Sequence, residues 1–234
     1  KTALKLVLAF FALIAAPCAA QEQFDYARVV TDRVDEGEAA IDGQNEERGS
    51  DRFVASASDN LPKGIARFGP FRVLDPGHAA LVDVTDERSP AAFAQMLAAF
   101  PGIAELVMIE CPGTVDDVAN LRLGRMIHAR GIATMVPDGG SVRSGAVELF
   151  LAGARHRASR GAEFAVHAWA DDDGRQPSDF AADAPVNRAY IDYYREMGMS
   201  PTEARAFYDM TNAVPNADAR WLSAAQMALW VRID

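Results

Sequence analysis

From Phe68 onward the chain alternates short apolar runs with apolar stripes at helical spacing. Residues 71–74 and 79–84 are largely apolar and are split by Asp75-Pro76-Gly77, the pattern of strand, tight turn and strand. Ser89 stands where a helix cap belongs and Pro90 at the first helical position, with Phe93, Met96, Leu97 and Phe100 on one face. Leu106-Val107-Met108-Ile109 is apolar without a break, as expected of a strand covered on both sides. Residues 115–130 place Ala119, Leu123, Met126 and Ile127 at helical spacing and end at Gly131, after which residues 133–136 read as another strand. Residues 144–153 are apolar on nearly every side except at Glu148, which predicts a buried helix, and Phe164-Ala165-Val166 predicts a further strand. Strand and helix thus alternate with short connections, which predicts an α/β fold with helices packed against a sheet.

The tail reads as helical. Val186, Tyr190, Tyr194 and Met197 form one stripe, and Ser200 to Glu203 and Ser223 to Gln226 each match a capping box. Before it, Asp171-Asp172-Asp173-Gly174-Arg175 and the residues up to Pro185 have few anchoring side chains, so this stretch is expected to be a lid or a surface loop.

The start of the chain differs in kind. Lys1 and Lys5 bracket the entry to an apolar run from Leu6 to Ala16, followed by Pro17, the small residues Cys18-Ala19-Ala20 and a polar turn at Gln21. A basic start, a short apolar centre and a small-residue exit predict an export signal over residues 1–20, and the run is too short to span ~30 Å of hydrocarbon. Its removal takes away two lysines and no acid, moving the formal charge from −10 to −12. Residues 21–60 are polar, with eight acids against two arginines between Asp32 and Asp51, and are expected to be an acidic flexible extension. Residues 61–234 remain as the folded domain. The mature chain keeps one thiol, Cys111, so no intramolecular disulfide is expected in an exported, periplasmic or secreted, protein. The acidic balance argues against a nucleic-acid partner, which calls for clustered Lys and Arg. The four histidines, His78, His128, His156 and His167, form no metal-binding motif, so neither metal nor cofactor is expected.

In α/β sheets, ligands gather beyond the carboxyl ends of the strands. Three loops qualify: Glu110 to Thr114, Pro137 to Gly145, and the segment Val166-His167-Ala168-Trp169. Ser144 at a helix start, with a backbone amide beside it, is placed for attack on a carbonyl, and His167 is an imidazole able to take its proton. The Gly113-Thr114 loop offers a second amide for an oxyanion hole. Each residue also has a plain structural reading: Ser144 as a helix cap, His167 as a hydrogen-bonded strand end, Pro112-Gly113 as a turn.

The segment from Ile109 to Gly153 resembles the proteolytic subunit of Clp protease and the wider Clp-protease/crotonase superfamily, with a Pro-Gly turn after a strand, then a helix, a strand, and a serine turn opening a buried helix that ends in Ala-Gly. "AEFAVH" is similar to the family's strand ending in histidine, and "ADARWLSAAQMALW" to its closing segment; the likeness spans about residues 65 to 231. The chain also looks like exported bacterial relatives described as predicted periplasmic Clp-protease-like proteins, through "SG" before "FLAG" and the pattern from Tyr193-Tyr194 to Gly198. The resemblance implies a core of repeated ββα units with a helical C-terminal segment. It further implies Ser144 as nucleophile, His167 as general base, Asp218 as the group orienting the imidazole, and the amides of Thr114 and Gly145 as oxyanion hole. This chain departs from the family at Thr114, Arg143 and Ala219, the last standing where the family aspartate falls, which leaves Asp209 as the alternative to Asp218.

The expected function is an exported, ATP-independent serine hydrolase, a peptidase or esterase working through an acyl-enzyme on Ser144. The alternative is a catalytically inactive binding protein using the same cleft. A crotonase-type enzyme acting on an acyl-CoA thioester ranks third, since an exported acidic chain lacks basic residues for the coenzyme's phosphates. Peptide or ester substrates are the expected partners, with no stable membrane insertion after signal removal. The family implies a homo-oligomer, for which the stripe of Tyr190, Tyr193 and Tyr194 is a candidate contact or else part of the core.

Overall fold

The structure is a computed structural model and describes residues 61–234; the expected export signal and acidic extension lie outside the described residues. The fold is α/β. Strands β1 (Ala66–Phe68), β2 (Phe71–Val73) and β3 (His78–Leu81) form an antiparallel meander, and helix α1 (Ser89–Ala99) follows. Arg88 rather than Ser89 takes the cap position of α1, because the Ser89 hydroxyl donates to Asp86 Oδ1 at 2.8 Å, within the preceding turn.

Two units of strand, strand and helix come next. They are β4 (Glu105–Met108), β5 (Glu110–Cys111) and α2 (Asp117–Ala129), then β6 (Ala133–Val136), β7 (Ser141–Arg143) and α3 (Ala146–Leu151). A last strand pair, β8 (His156–Ala158) and β9 (Glu163–Val166), leads to α4 (Pro185–Glu196), α5 (Pro201–Thr211), β10 (Arg220–Ser223) and α6 (Ala224–Met227). The sequence predicts one sheet; the chain builds two. The first strand of each unit joins a six-stranded sheet ordered β1-β2-β3-β4-β6-β8, and the second joins a smaller sheet ordered β5-β7-β9-β10. The chain breaks direction at Ile109 and again over residues 137–140, so the short extensions Glu110–Cys111 and Ser141–Arg143 pair with each other, Glu110 facing Ser141, instead of lengthening their parent strands. Pro137 lacks an N–H, and cannot continue the first ladder.

The strands β3 and β4 are buried on both faces, as their unbroken apolar runs require. Leu81, Leu106 and Met108 face the main core beneath the helices, whereas Ala80, Val107 and Ile109 form a small cluster on the other side with Leu61 and Leu74. The stripe on α4 is core: Tyr190, Tyr193 and Tyr194 are all buried, and Tyr194 meets Phe207 of α5 edge-on at 5.0 Å. The loop of residues 171–184 is anchored after all. Phe180 packs on Trp169 at 5.4 Å, the Arg175 guanidinium lies 5.1 Å over the Phe180 ring, and Gln176 Oε1 accepts from Asn216 N–H at 2.8 Å. No described helix is long and apolar enough to cross a membrane.

Candidate active site

Strands β5, β7 and β9 are adjacent and parallel, with Cys111 opposite Val142 and Arg143 opposite Ala165. Neighbouring strands lie about 4.8 Å apart, so the loops that leave their carboxyl ends must emerge side by side. Those loops carry Thr114, Ser144 and His167.

Ser144 turns the chain from β7 into α3 at φ 50°, and no other described residue except glycine has a positive φ. A left-handed backbone on a residue with a Cβ costs about 1–2 kcal/mol, and its surroundings hold it there. Its N–H donates to Ala165 O at 2.8 Å, and its carbonyl accepts from Val147 N–H at 2.9 Å. Arg143, just before it, is buried in an ion pair with Glu110 of β5 at 2.5 Å and donates to Ser141 Oγ at 2.8 Å.

The loop after β5 presses on this turn. A Cβ on Gly113 would lie 2.8 Å from Ser144 Cβ, and one on Gly145 would lie 2.5 Å from Thr114 Cγ2. Only glycine fits at either place, and its absence of side chain is what lets Thr114 and Gly145 approach. Among the described residues, no acceptor takes the backbone N–H of Thr114 or of Gly145. Behind them, buried Asn120 donates through Nδ2 to Gly145 O at 2.6 Å and accepts at Oδ1 from Thr85 Oγ1 at 3.0 Å. Two loops and a helix are thereby tied at one point.

His167 follows β9. Its Nδ1 lies 2.8 Å from Ala168 O, an atom that can only accept, so the proton is assigned to Nδ1 and the lone pair to Nε2. Asn216 Nδ2 donates to the same carbonyl at 2.9 Å and stands 3.1 Å from Nδ1. Burial holds the imidazole below its ordinary pKa, against the opposing pull of the Ala168 carbonyl and the Asp117 charge. It is therefore neutral at neutral pH.

Ser144, Gly145, Thr114, His167 and Asn216 line one cavity of about 500 Å³ together with Asp117, Glu148, Tyr190 and Tyr194. No direct hydrogen bond joins Ser144 Oγ to the imidazole, a separation common before substrate closes a site. Glu148 is buried; Tyr194 OH donates to its Oε1 at 2.7 Å and Tyr193 OH to its main-chain carbonyl at 2.6 Å. Burial pushes its carboxyl up to about 7, the Tyr194 hydrogen bond opposing. Asp117 is raised as well, by desolvation against a hydrogen bond from Tyr190, but its side chain is exposed to solvent, which tempers the effect.

The carboxylates expected behind the imidazole lie elsewhere. Asp218 is exposed, because the chain turns at Pro215, whose carbonyl accepts from Asp218 N–H at 2.9 Å, and then runs outward to β10. Asp209 is an exposed residue of α5 paired with Arg205 at 3.0 Å. Asn216 occupies the place instead; its only sequence signal is its position two residues before Asp218, immediately ahead of the closing segment. Asn120, Thr85 and Glu148 were likewise invisible as site residues, being single polar positions within apolar helix or strand patterns.

No family model matches the chain, and no curated protein matches it. Among solved structures it is similar to a mutant of the 1510-N membrane-bound stomatin-specific protease in complex with a substrate peptide, at 15% identity and TM-score 0.43 over 64% of this chain and 72% of that one. A second mutant of the same protease gives 15% and 0.45 over 66% and 76%. A mutant of ClpP1 from Listeria monocytogenes gives 12% and 0.45 over 67% and 88%. Scores at this level carry nothing beyond a likeness of chain path, so the chemistry is read from this chain's own residues.

Those residues combine a hydroxyl on a strained turn, a neutral imidazole with its lone pair on Nε2, and two backbone N–H groups on residues that pack closely together. That set can take a proton from a hydroxyl and hold an oxyanion. Among the described residues, no three His, Cys, Asp or Glu side chains come together as a metal site. Cys111 is buried, its thiol pushed well up by desolvation, which makes it a poor nucleophile.

Proposed function

We propose that this chain is a serine hydrolase, a peptidase or esterase, that acts through an acyl-enzyme on Ser144. The observation that supports it best is the strained Ser144 in one cavity with a neutral His167 and two amides, of Thr114 and Gly145, that have no acceptor. Ser144 Oγ attacks the substrate carbonyl carbon and passes its proton to His167 Nε2. The carbonyl oxygen becomes an oxyanion held by the Thr114 and Gly145 amides, each such donor being worth about 10²–10³ in rate. The bond to the leaving group breaks as His167 returns the proton to it. Water then repeats the sequence on the acyl-enzyme and frees Ser144. The Ala168 carbonyl, which also accepts from Asn216 Nδ2, holds the imidazole tautomer, the task assigned to Asp218 by resemblance.

Export to the periplasm or beyond belongs to the same proposal and rests on residues 1–20 alone. Any homo-oligomer would need a surface other than the tyrosine stripe, which is spent in the core.

A second reading, a silent binding protein using the same cleft, draws on the amide at Asn216 where a carboxylate would strengthen the base. Incubating the full chain with a fluorophosphonate probe and mapping the adduct separates the two. A stable adduct on Ser144, lost in Ser144→Ala, is expected; a folded protein that remains unlabelled favours the silent reading.

A further inference from the structure

Three glutamates of this domain are buried, and two of them have an arginine. Glu110 pairs with Arg143 and Glu105 with Arg157. The third, Glu148, is 8% exposed, lines the candidate active-site cavity, and forms no ion pair among the described residues. A buried carboxylate is ordinarily paired with a cation. Tyr194 OH supplies a hydrogen bond to one oxygen and no charge.

The position of Glu148 gives this meaning. It lies three residues after Gly145 on α3, so its side chain leans back over the same helix face toward the Gly145 amide. A substrate carbonyl seated on that amide would share the cavity with Glu148, Tyr194 and Tyr190, and with Asp117, a second carboxylate in its lining. Glu148 is close enough to Asp117 to feel its charge. The cavity, at about 500 Å³, suits one long side chain and a short run of backbone.

We propose that Glu148, supported by Asp117, makes this cavity specific for a peptide with a lysine or arginine side chain on the acyl side of the bond that Ser144 attacks. The proposal rests on the serine-hydrolase reading. The incoming cation supplies the charge partner that the fold gives Glu105 and Glu110 from within. A neutral side chain of equal length leaves the carboxylate uncompensated, and an acidic one adds repulsion.

The test uses the full chain and three fluorogenic peptide amides that differ only before the scissile bond, carrying lysine, norleucine or glutamate. Lysine should exceed norleucine in kcat/KM by about tenfold or more, as the loss of a buried charge partner implies, with glutamate lowest. In Glu148→Gln the lysine-to-norleucine ratio should fall toward one whatever the absolute rate, and Glu148→Asp should recover part of it. A ratio near one in the unaltered protein, or one that survives Glu148→Gln, overturns the proposal. Should Ser144 fail to label with fluorophosphonate, the hydrolase reading fails separately, and calorimetric binding of the lysine and norleucine peptides to the full chain then decides the subsite, equal affinities overturning it.

Discussion

Ser144 and His167 show how single residues are prepared for chemistry by their immediate neighbours. Ser144 sits at φ 50° although it has a Cβ, and the hydrogen bonds to Ala165 and Val147 with the ion pair of Arg143 and Glu110 beside it keep it there. Strain of this kind persists where the surroundings over-determine it. His167 is set by burial: its Nδ1 contacts a carbonyl and an amide, and the Asp117 charge pulls against the burial. Burial then wins, and the imidazole titrates below its ordinary value. Asn216→Asp would place a carboxylate against Nδ1 and raise the imidazole pKa. The acid limb of the kcat/KM profile, where His167 becomes protonated and can no longer accept the Ser144 proton, should move to higher pH accordingly. An unmoved limb would mean that His167 is not the base whose titration governs the rate.

At the level of elements, the site depends on how closely α2, α3 and α4 pack. A Cβ on Gly124 of α2 would lie 1.9 Å from the Tyr193 hydroxyl of α4, and that hydroxyl donates to Glu148 O of α3 at 2.6 Å. One glycine thus admits the phenol that joins the three helices. Gly124→Ala should cost about 1–3 kcal/mol through overpacking, read as a lower urea midpoint. Tyr193→Phe alone loses the buried hydrogen bond, yet combined with Gly124→Ala it relieves the clash, so the double variant should be more stable than the sum of the two losses. Additive losses would show that helix spacing does not depend on this contact. Much of this scale is written in the sequence: the apolar run at 106–109, the stripe of α2 and the capping boxes of Ser200 and Ser223 all appear as their patterns predict. The second sheet is not, because β5 and β7 are two and three residues long and include Glu110 and Arg143, charges whose mutual burial no local pattern reveals. The inward turn of Asn216 is hidden for a similar reason, since it depends on Pro215 turning a loop packed against β9 rather than on any periodicity.

For the whole molecule, the site leaves a mark on stability through Glu148. Its carboxyl holds its proton more tightly in the fold, up to about 7, than its ordinary value of 4.5, because burial disfavours the charge. The folded state therefore binds the extra proton between those two values, and stability falls as pH rises through that window. Below about 4.5 both states are protonated and nothing is lost; above about 7 the loss is complete, of order 3 kcal/mol at 1.36 kcal/mol per unit. Asp117 from α2, His167 just after β9 and the phenols of Tyr190 and Tyr194 from α4 line the same cavity as this carboxyl, the Tyr193 phenol bonds the Glu148 main-chain carbonyl, and His167 works the other way, its depressed pKa costing stability as pH falls. The formal charge of −10 adds a general self-repulsion at high pH. That repulsion is nearly the same in Glu148→Gln, so the difference between the two proteins isolates the one group. Urea midpoints measured from about pH 5 to pH 8 should decline more steeply in the unaltered chain than in Glu148→Gln, the two curves separating as Glu148 ionises. Parallel curves would mean that the carboxyl ionises in the fold as readily as in the unfolded chain, and that water or a counter-charge already satisfies it in the cavity.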